Sequence, residues 1–457
     1  MTRNFAMRLA ATCSVLTLSM TSAVAHAQAL SAEDAAAMRA EIDALKAQLS
    51  AMEARLGSVA DKTDANSTAI AAVPAAAPAP ETTIKWKGAP ELSTKSGWSF
   101  KVRGRLQYDF GYLDAATPLG VPDGGLGFSS EVRRARLGVE GSIPGGFGYK
   151  FEADFAGDEV EIADAYLFYT DKGLSVAVGQ HNGFQSLEEL TSSRFSSFME
   201  RAAFTDAFNF ERRVGLSVTV KTGDALLSGG VFTDSIGDLS SDVNNSYSFD
   251  GRAVWMPKFG KTQVHMGGSV HWRDFQDSAT TSRYRQRPFI HSSDIRFIDT
   301  SSFSADSELN YGLEAAVIRG PLHFASEANW LRAMRPGIVD PTFFGGYAEV
   351  GYFLTQGDTR GYKGGIFDRV KPKNGVDMGG IGAVQINLRY DYLDLVDTGI
   401  VGGTQNGYAA SLIWTPIDYV RFMINYGHME YDHAKVTANG KDSYSADVVG
   451  ARAQIDF

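Results

Sequence analysis

The fold class this sequence predicts is a sixteen-stranded antiparallel transmembrane β-barrel, preceded by an N-terminal α-helical coiled coil. Three observations carry that expectation. From about residue 84 onward, apolar and polar residues alternate in segment after segment, the period-2 signature of strands with one greasy and one wet face. The connections between those segments alternate short and long, as they do when turns lie on one side of a membrane and loops on the other. The chain also begins like an exported protein and ends on an aromatic strand.

The leader comes first. Arg3 and Arg8 precede the apolar run LAATCSVLTLSMTSAVA, which closes on Ala25-His26-Ala27. A basic start, a short apolar stretch and an A-x-A site predict a cleaved signal peptide over 1–27. Too little apolar sequence precedes Cys13 for a lipoprotein anchor. Cys13 is the one cysteine of the chain, so the exported part is expected to hold together without disulfides. No later run reaches the ~20 apolar residues of a membrane helix. Without residues 1–27, which hold Arg3 and Arg8 and no acid, 41 basic residues face 53 acidic ones, a formal net charge of -12. That balance argues against nucleic acid as a partner.

Residues 28–64 read as a periplasmic coiled coil. Met38, Ile42, Leu45, Leu49, Met52, Leu56 and Val59 recur at spacings of four and three, the a/d pattern of a heptad. The run AIAAVPAAAPAP, within 65–83, reads as a semi-rigid spacer.

The barrel itself is expected over 84–457, in sixteen segments from 98–113 to 445–457. In WSFKVRGRLQYDFGY (98–112), Trp98, Phe100, Leu106, Tyr108, Phe110 and Tyr112 share one face, and Arg103 and Arg105 share the other. A bilayer needs ~9–11 residues of tilted strand, and only a closed sheet leaves no edge unpaired there. Tyr108, Phe110 and Tyr112 suit an aromatic girdle. The last strand sets Val449, Ala451, Ala453, Ile455 and Phe457 on the lipid face. A soluble β-sandwich is disfavoured by the strand number, the loop asymmetry and the terminal Phe. Sixteen strands enclose an aqueous channel, whereas eight would be filled by side chains.

Inward residues decide what such a channel admits. Arg134 and Arg136 fall on the inner face of 131–143; Arg133 falls on the outward phase, so it sits at the wet rim or a bulge turns it inward. Lys150, Glu152 and Asp154 share the inner face of the following strand.

The segments IKWKG (84–88), FKVRGRLQYDFG (100–111), RRARLGVEG (133–141), DAYLFY (164–169), LTSSRF (190–195), NFERRVGL (209–216), SRYRQR (282–287) and YKGGIFDRVKPKN (362–374) together resemble the phosphate-selective porins O and P of bacterial outer membranes. The resemblance covers residues 82–457. It implies a homotrimer of sixteen-stranded barrels in the outer membrane, passing anions, phosphate among them, through arginine- and lysine-lined pores. Residue by residue, it implies that Arg105, Arg133 and Arg134 line the narrow zone and that Asp164 neighbours the central basic site. Arg194 lies in 182–211, a loop that folds into the pore in this family, where a lysine is common. Arg283, Arg285 and Arg287 match an arginine ladder at the extracellular mouth. Gly148 stands where a pore lysine is expected, and Lys150 takes its place on the same face.

A second basic group is expected on the periplasmic side, where segment 356–380 carries Arg360, Lys363, Arg369, Lys371 and Lys373, with Lys85, Lys87 and Lys101 near the same rim. Rival readings are weaker. There is no nucleophile motif, and the eight histidines show no metal spacing, so neither an enzyme nor a cofactor is expected. The alternative within the fold is a general, sugar or organic-acid porin, with Tyr166 and Phe168 facing inward and the coiled coil tethering the barrel to peptidoglycan.

Overall fold

The computed structural model describes residues 32–71, 82–121, 125–240, 245–276 and 281–457. The expected signal peptide and residues 72–81 of the Ala/Pro spacer lie outside them. The chain divides into two compact units, 1–79 and 80–457. In the first, helix α1 (Ala32–Ala71) runs past residue 64, where the coil was expected to end. Residues 65–71 contain no helix breaker, and the first proline of the sequence is Pro74, a residue type that disfavours helix. Along α1, Ile42, Leu45, Leu49, Met52, Leu56 and Val59 are all 49–70% exposed.

The second unit is a closed barrel of sixteen antiparallel strands: β1 (Ser99–Ala115), β2 (Gly127–Ile143), β3 (Phe147–Asp154), β4 (Glu161–Asp171), β5 (Leu174–Asn182), β6 (Arg212–Thr222), β7 (Ala225–Phe232), β8 (Tyr247–Trp255), β9 (Thr262–Asp274), β10 (Ser307–Arg319), β11 (Leu322–Met334), β12 (Thr342–Phe353), β13 (Ala383–Asp397), β14 (Ile400–Ile417), β15 (Val420–Asp432) and β16 (Tyr444–Asp456). Each pairs with the next, and β16 returns to β1 with Ala446 opposite Ala115 and Asp456 opposite Arg105. All sixteen expected segments are strands. The clearest boundary difference is β14, which begins at Ile400 rather than 407. Its pairing with β13 continues to Asp397↔Ile400, closed by a tight turn in which Gly399 takes a left-handed φ of 80°. A short hairpin, Thr83–Trp86 and Pro90–Ser93, adds to the start of β1 through Glu91↔Lys101.

Alternation sorts the side chains as a bilayer requires. On β1, Leu106, Tyr108, Phe110 and Tyr112 are exposed on the outer surface, while Arg105, Gln107 and Asp109 are buried inside. Aromatic pairs stand outside near the loop end (Phe249 on Trp272, Tyr311 on Trp330) and near the turn end (Trp255 beside Phe259, Trp414 on Phe422), the two girdles of an outer-membrane barrel. The seam closes on the terminal residue. Phe457 exchanges backbone hydrogen bonds with Gly104, and its ring covers that glycine so closely that a Cβ there would lie 2.1 Å away.

The apolar core sits inside the barrel. Leu187, Phe204 and Phe208 from the loop after β5 and Tyr284, Ile290 and Phe297 from the loop after β9 pack against Leu331, Phe343 and Leu393 of the wall. Two inward loops thus fill the β10–β16 side and leave the passage along β2–β6.

Candidate functional site

The passage is shaped by loop 183–211, which crosses the lumen with few backbone partners of its own, so the wall must satisfy its polar groups. Gln107 donates to the Ser193 carbonyl (3.2 Å), Arg421 to Arg194 (3.0 Å), Ser411 to Ser197 (2.7 Å) and Arg452 to Met199 (2.7 Å). The Glu327 carboxylate accepts from the amides of Leu187 (2.9 Å) and Glu188 (2.8 Å). Arg452 also grips Asp109 with two bonds of 2.7 and 2.6 Å, both side chains fully buried, and reaches Glu200 of the loop at 3.1 Å.

Two cavities lie between this loop and the wall. The one toward the turn end has about 560 Å³ and the one toward the loop end about 730 Å³. They meet at a neck of six shared residues: Arg134, Arg136, Glu189, Ser193, Arg201 and Arg212. Four guanidiniums and one carboxylate therefore line both chambers where they meet. The turn-side chamber adds Arg105, Lys150 and Arg194 against Glu152 and Asp164. The loop-side chamber is different in sign: beyond the neck it carries Glu159, Glu161, Glu200, Asp206, Glu211 and Asp238 against Arg133 and Arg287.

Two bulges aim the neck. Gln107 pairs with Arg134 and Tyr108 with Val132, so Arg133 is the extra residue. The bulge shifts the phase, and neighbours Arg133 and Arg134 both turn inward. Arg133 grips Glu200 with two bonds (3.1 and 3.2 Å), whereas Arg134 bonds neutral Gln107 (3.0 Å) and has no ion-pair partner among the described residues. On β4, Ala163 is extra between Asp164, opposite Glu152, and Ile162, opposite Ala153. Asp164 then receives Lys150 (2.6 Å) and Arg212 (3.0 Å). Arg136 is tied to Asp154 (2.7 Å) and Glu152 (3.2 Å). Arg201 donates to the carbonyls of Glu188, Glu189 and Thr191 and lies 3.1 Å from the Glu189 carboxylate.

Burial pushes the Glu189 carboxyl up from its ordinary value, against the pull of Arg201, Arg212 and Arg134. Acidification therefore neutralises Glu189 before an ordinary carboxylate, and the neck becomes more positive. The preference for anions over cations is expected to rise as pH falls toward the carboxylate range. Glu189→Gln should flatten that rise and show the acid-range preference already at neutral pH. Reversal potentials across a pH series check this.

Most of the residues expected from sequence lie on this path. Arg105, Arg134, Lys150, Asp164 and Arg194 line the turn-side chamber, as do Tyr166 and Phe168, and Arg133 and Arg287 line the loop-side one. Arg103 sits apart, paired with Glu140. Arg194 is not at the neck: it lies over Phe195 with its Nη1 3.6 Å from Asp456, and burial lowers its guanidinium to about 10. The ladder expected at the mouth is not continuous. Arg283 is clamped to Asp299, Arg285 is exposed away from both chambers, and Arg287 lies between Asp206 and Asp294. Alternation along 283–287 turns Tyr284 and Gln286 into the core, which leaves the arginines outside it.

The basic rim is likewise split. Lys87 pairs with Glu91, Lys101 donates to the Lys87 carbonyl (3.2 Å), and Lys85 and Lys371 are exposed. Lys363 instead sits on a hairpin, Gly361–Lys363 and Ile366–Asp368, that folds into the barrel. There Tyr362 meets His265 (2.6 Å), Arg252 donates to the Gly365 carbonyl (2.8 Å), and Phe367 donates to Thr191 of the crossing loop (3.2 Å).

A closed sixteen-stranded barrel with aromatic girdles, a polar lumen and an inward loop is an outer-membrane porin, a channel of the bacterial outer membrane. The chain belongs to the phosphate-selective porin O and P family, whose model matches residues 100–457. It is 29% identical to Porin O of Pseudomonas aeruginosa over 70% of this chain and 78% of that one. It is 46% identical to an uncharacterized protein of Caulobacter vibrioides over 96% of this chain and 94% of that one. Among solved structures it resembles OmpT of Vibrio cholerae (TM-score 0.51, 10% identity, 80% of this chain and 99% of that one). An anion-selective porin from Comamonas acidovorans is similar too (TM-score 0.50, 11% identity, 79% and 100%). At such identities these two show the fold alone.

Proposed function

We propose that this porin passes anions passively, with inorganic phosphate or a related oxyanion as its solute. The observation that carries this reading is the neck, lined by four guanidiniums and one carboxylate. A planar guanidinium offers two parallel donors to an oxyanion, and Ser193 adds a hydroxyl to the same ring. A narrow pore strips water from its solute, and such donors replace it. Cations spaced from the neck to Arg105, Lys150 and Arg194 make binding repeated rather than deep, so an ion that enters also leaves. The family's name supports the same solute.

Single channels in asymmetric potassium chloride test the anion step: the reversal potential is expected to have the sign set by chloride, and a potassium-selective channel would end the reading. Millimolar phosphate should then reduce the chloride current. If it does not, the solute is not phosphate.

We further infer that α1 associates with copies of itself as a coiled coil, in a trimer of barrels. The exposed stripe from Ile42 to Val59 supports that association, and a helix on the periplasmic side can meet peptidoglycan.

A further inference from the structure

We propose that a chloride-sized monovalent anion binds in a second site, outside the neck, and holds three elements of the barrel together. The site is a cavity of about 20 Å³. Its walls come from the crossing loop (Arg194, Phe195), from segment 354–382 (Arg360, Arg369) and from the inner wall (Arg421, Asp456).

Charge makes the case. Four guanidiniums line the cavity against the carboxylates of Asp418 and Asp456. Asp456 is taken up by Arg369 and by Arg194 at 3.6 Å. Arg421, 7% exposed, spends both Nη atoms on the carbonyls of Arg194 and Ser196 and has no carboxylate partner among the described residues. Arg360 is the decisive group. It is 4% exposed and stacks on Phe367 with its guanidinium 4.6 Å from the ring centre. Its side chain makes no hydrogen bond or ion pair with the described residues, and its Nε and Nη1 are fully buried without a partner.

A buried charge needs a counter-charge, and an arginine cannot escape by losing its proton as a lysine can. An anion between Arg360 and Arg421 satisfies both. Its size follows from the cavity, which holds about one water-sized particle. A single-atom anion fits and a tetrahedral oxyanion does not, so this site selects the other way from the neck. Bound there, the anion joins the crossing loop and the inward hairpin to β15 and β16, and binding to the folded state stabilises it.

Crystals of the full chain in bromide, read by anomalous scattering, test the site in the native protein. Bromide is expected within hydrogen-bond distance of Arg360 Nε; bromide at the neck or on exposed arginines alone overturns the proposal. In solution, the thermal transition should be higher in chloride than in gluconate at equal ionic strength, because gluconate is too large. Arg360→Gln should remove that difference, with Arg421→Gln as a second variant should the first fail to fold. Equal transitions of the native protein in the two salts would also overturn it.

Discussion

Arg134→Glu is expected to lower the ratio of anion to cation permeability by at least about tenfold, read as a shift of reversal potential in asymmetric salt. The neck would pass from four guanidiniums and one carboxylate to three and two. Unit charges 4 Å apart attract by ~4 kcal/mol at an effective dielectric of 20, against ~1 kcal/mol in bulk water. Only ~1.4 kcal/mol of that difference is needed for tenfold. Arg134 is the right position because its partner is neutral Gln107, so no carboxylate is stranded. Removing Arg136 would instead leave Asp154 without an ion-pair partner and Glu152 with Arg105 alone, and removing Arg212 would leave Asp164 with Lys150 alone. An unchanged reversal potential would show that selectivity does not reside at the neck.

Arg452→Met is expected to have the largest effect on stability, ~3–5 kcal/mol, because it leaves Asp109 charged and buried without its partner. The same change frees the Met199 carbonyl and one side of Glu200. Arg133 and Arg452 together hold the Glu200 carboxyl below its ordinary range, against the opposing effect of burial. The crossing loop should loosen where it meets the β16–β1 seam, and single-channel conductance should rise and become noisier. Chemical unfolding and conductance separate the two consequences. Arg452→Met with Asp109→Leu should regain stability while the loop stays loose. If the single variant unfolds like the native protein, the buried pair does not hold the seam.

The barrel was legible because a bilayer imposes one rule, period two, on every strand, and that rule is visible residue by residue. The inward placement of Arg105, Arg134, Arg136 and Lys150 follows from it directly. Arg133 shows where the rule stops: a bulge changes phase without leaving a mark in composition. The adjacent pair Arg133-Arg134 is the signal that can be found, since strict alternation would turn one of two neighbouring guanidiniums toward lipid. Arg212-Arg213 carries the same signal and points to Arg212, which the strand pattern alone passes over. Arg201 was not legible at all. It lies in a loop with no period, and its place at the neck is set by carbonyls that only the folded loop brings together. The inward hairpin was hidden for a related reason: its contacts with His265, Arg252 and Thr191 are far apart in sequence.

The acid-rich chamber above a basic neck has an electrical consequence. Two zones of opposite fixed charge in series form a junction, like the contact of two oppositely doped semiconductors. One voltage polarity drives mobile anions from the basic zone and cations from the acidic zone toward their boundary, where both accumulate and carry current. The opposite polarity pulls both away and leaves a depleted, resistive layer. With Glu159, Glu161, Asp206 and Glu211 on one side and Arg105, Lys150 and Arg194 on the other, the barrel is expected to conduct as a rectifier, with unequal currents at opposite voltages in symmetric salt.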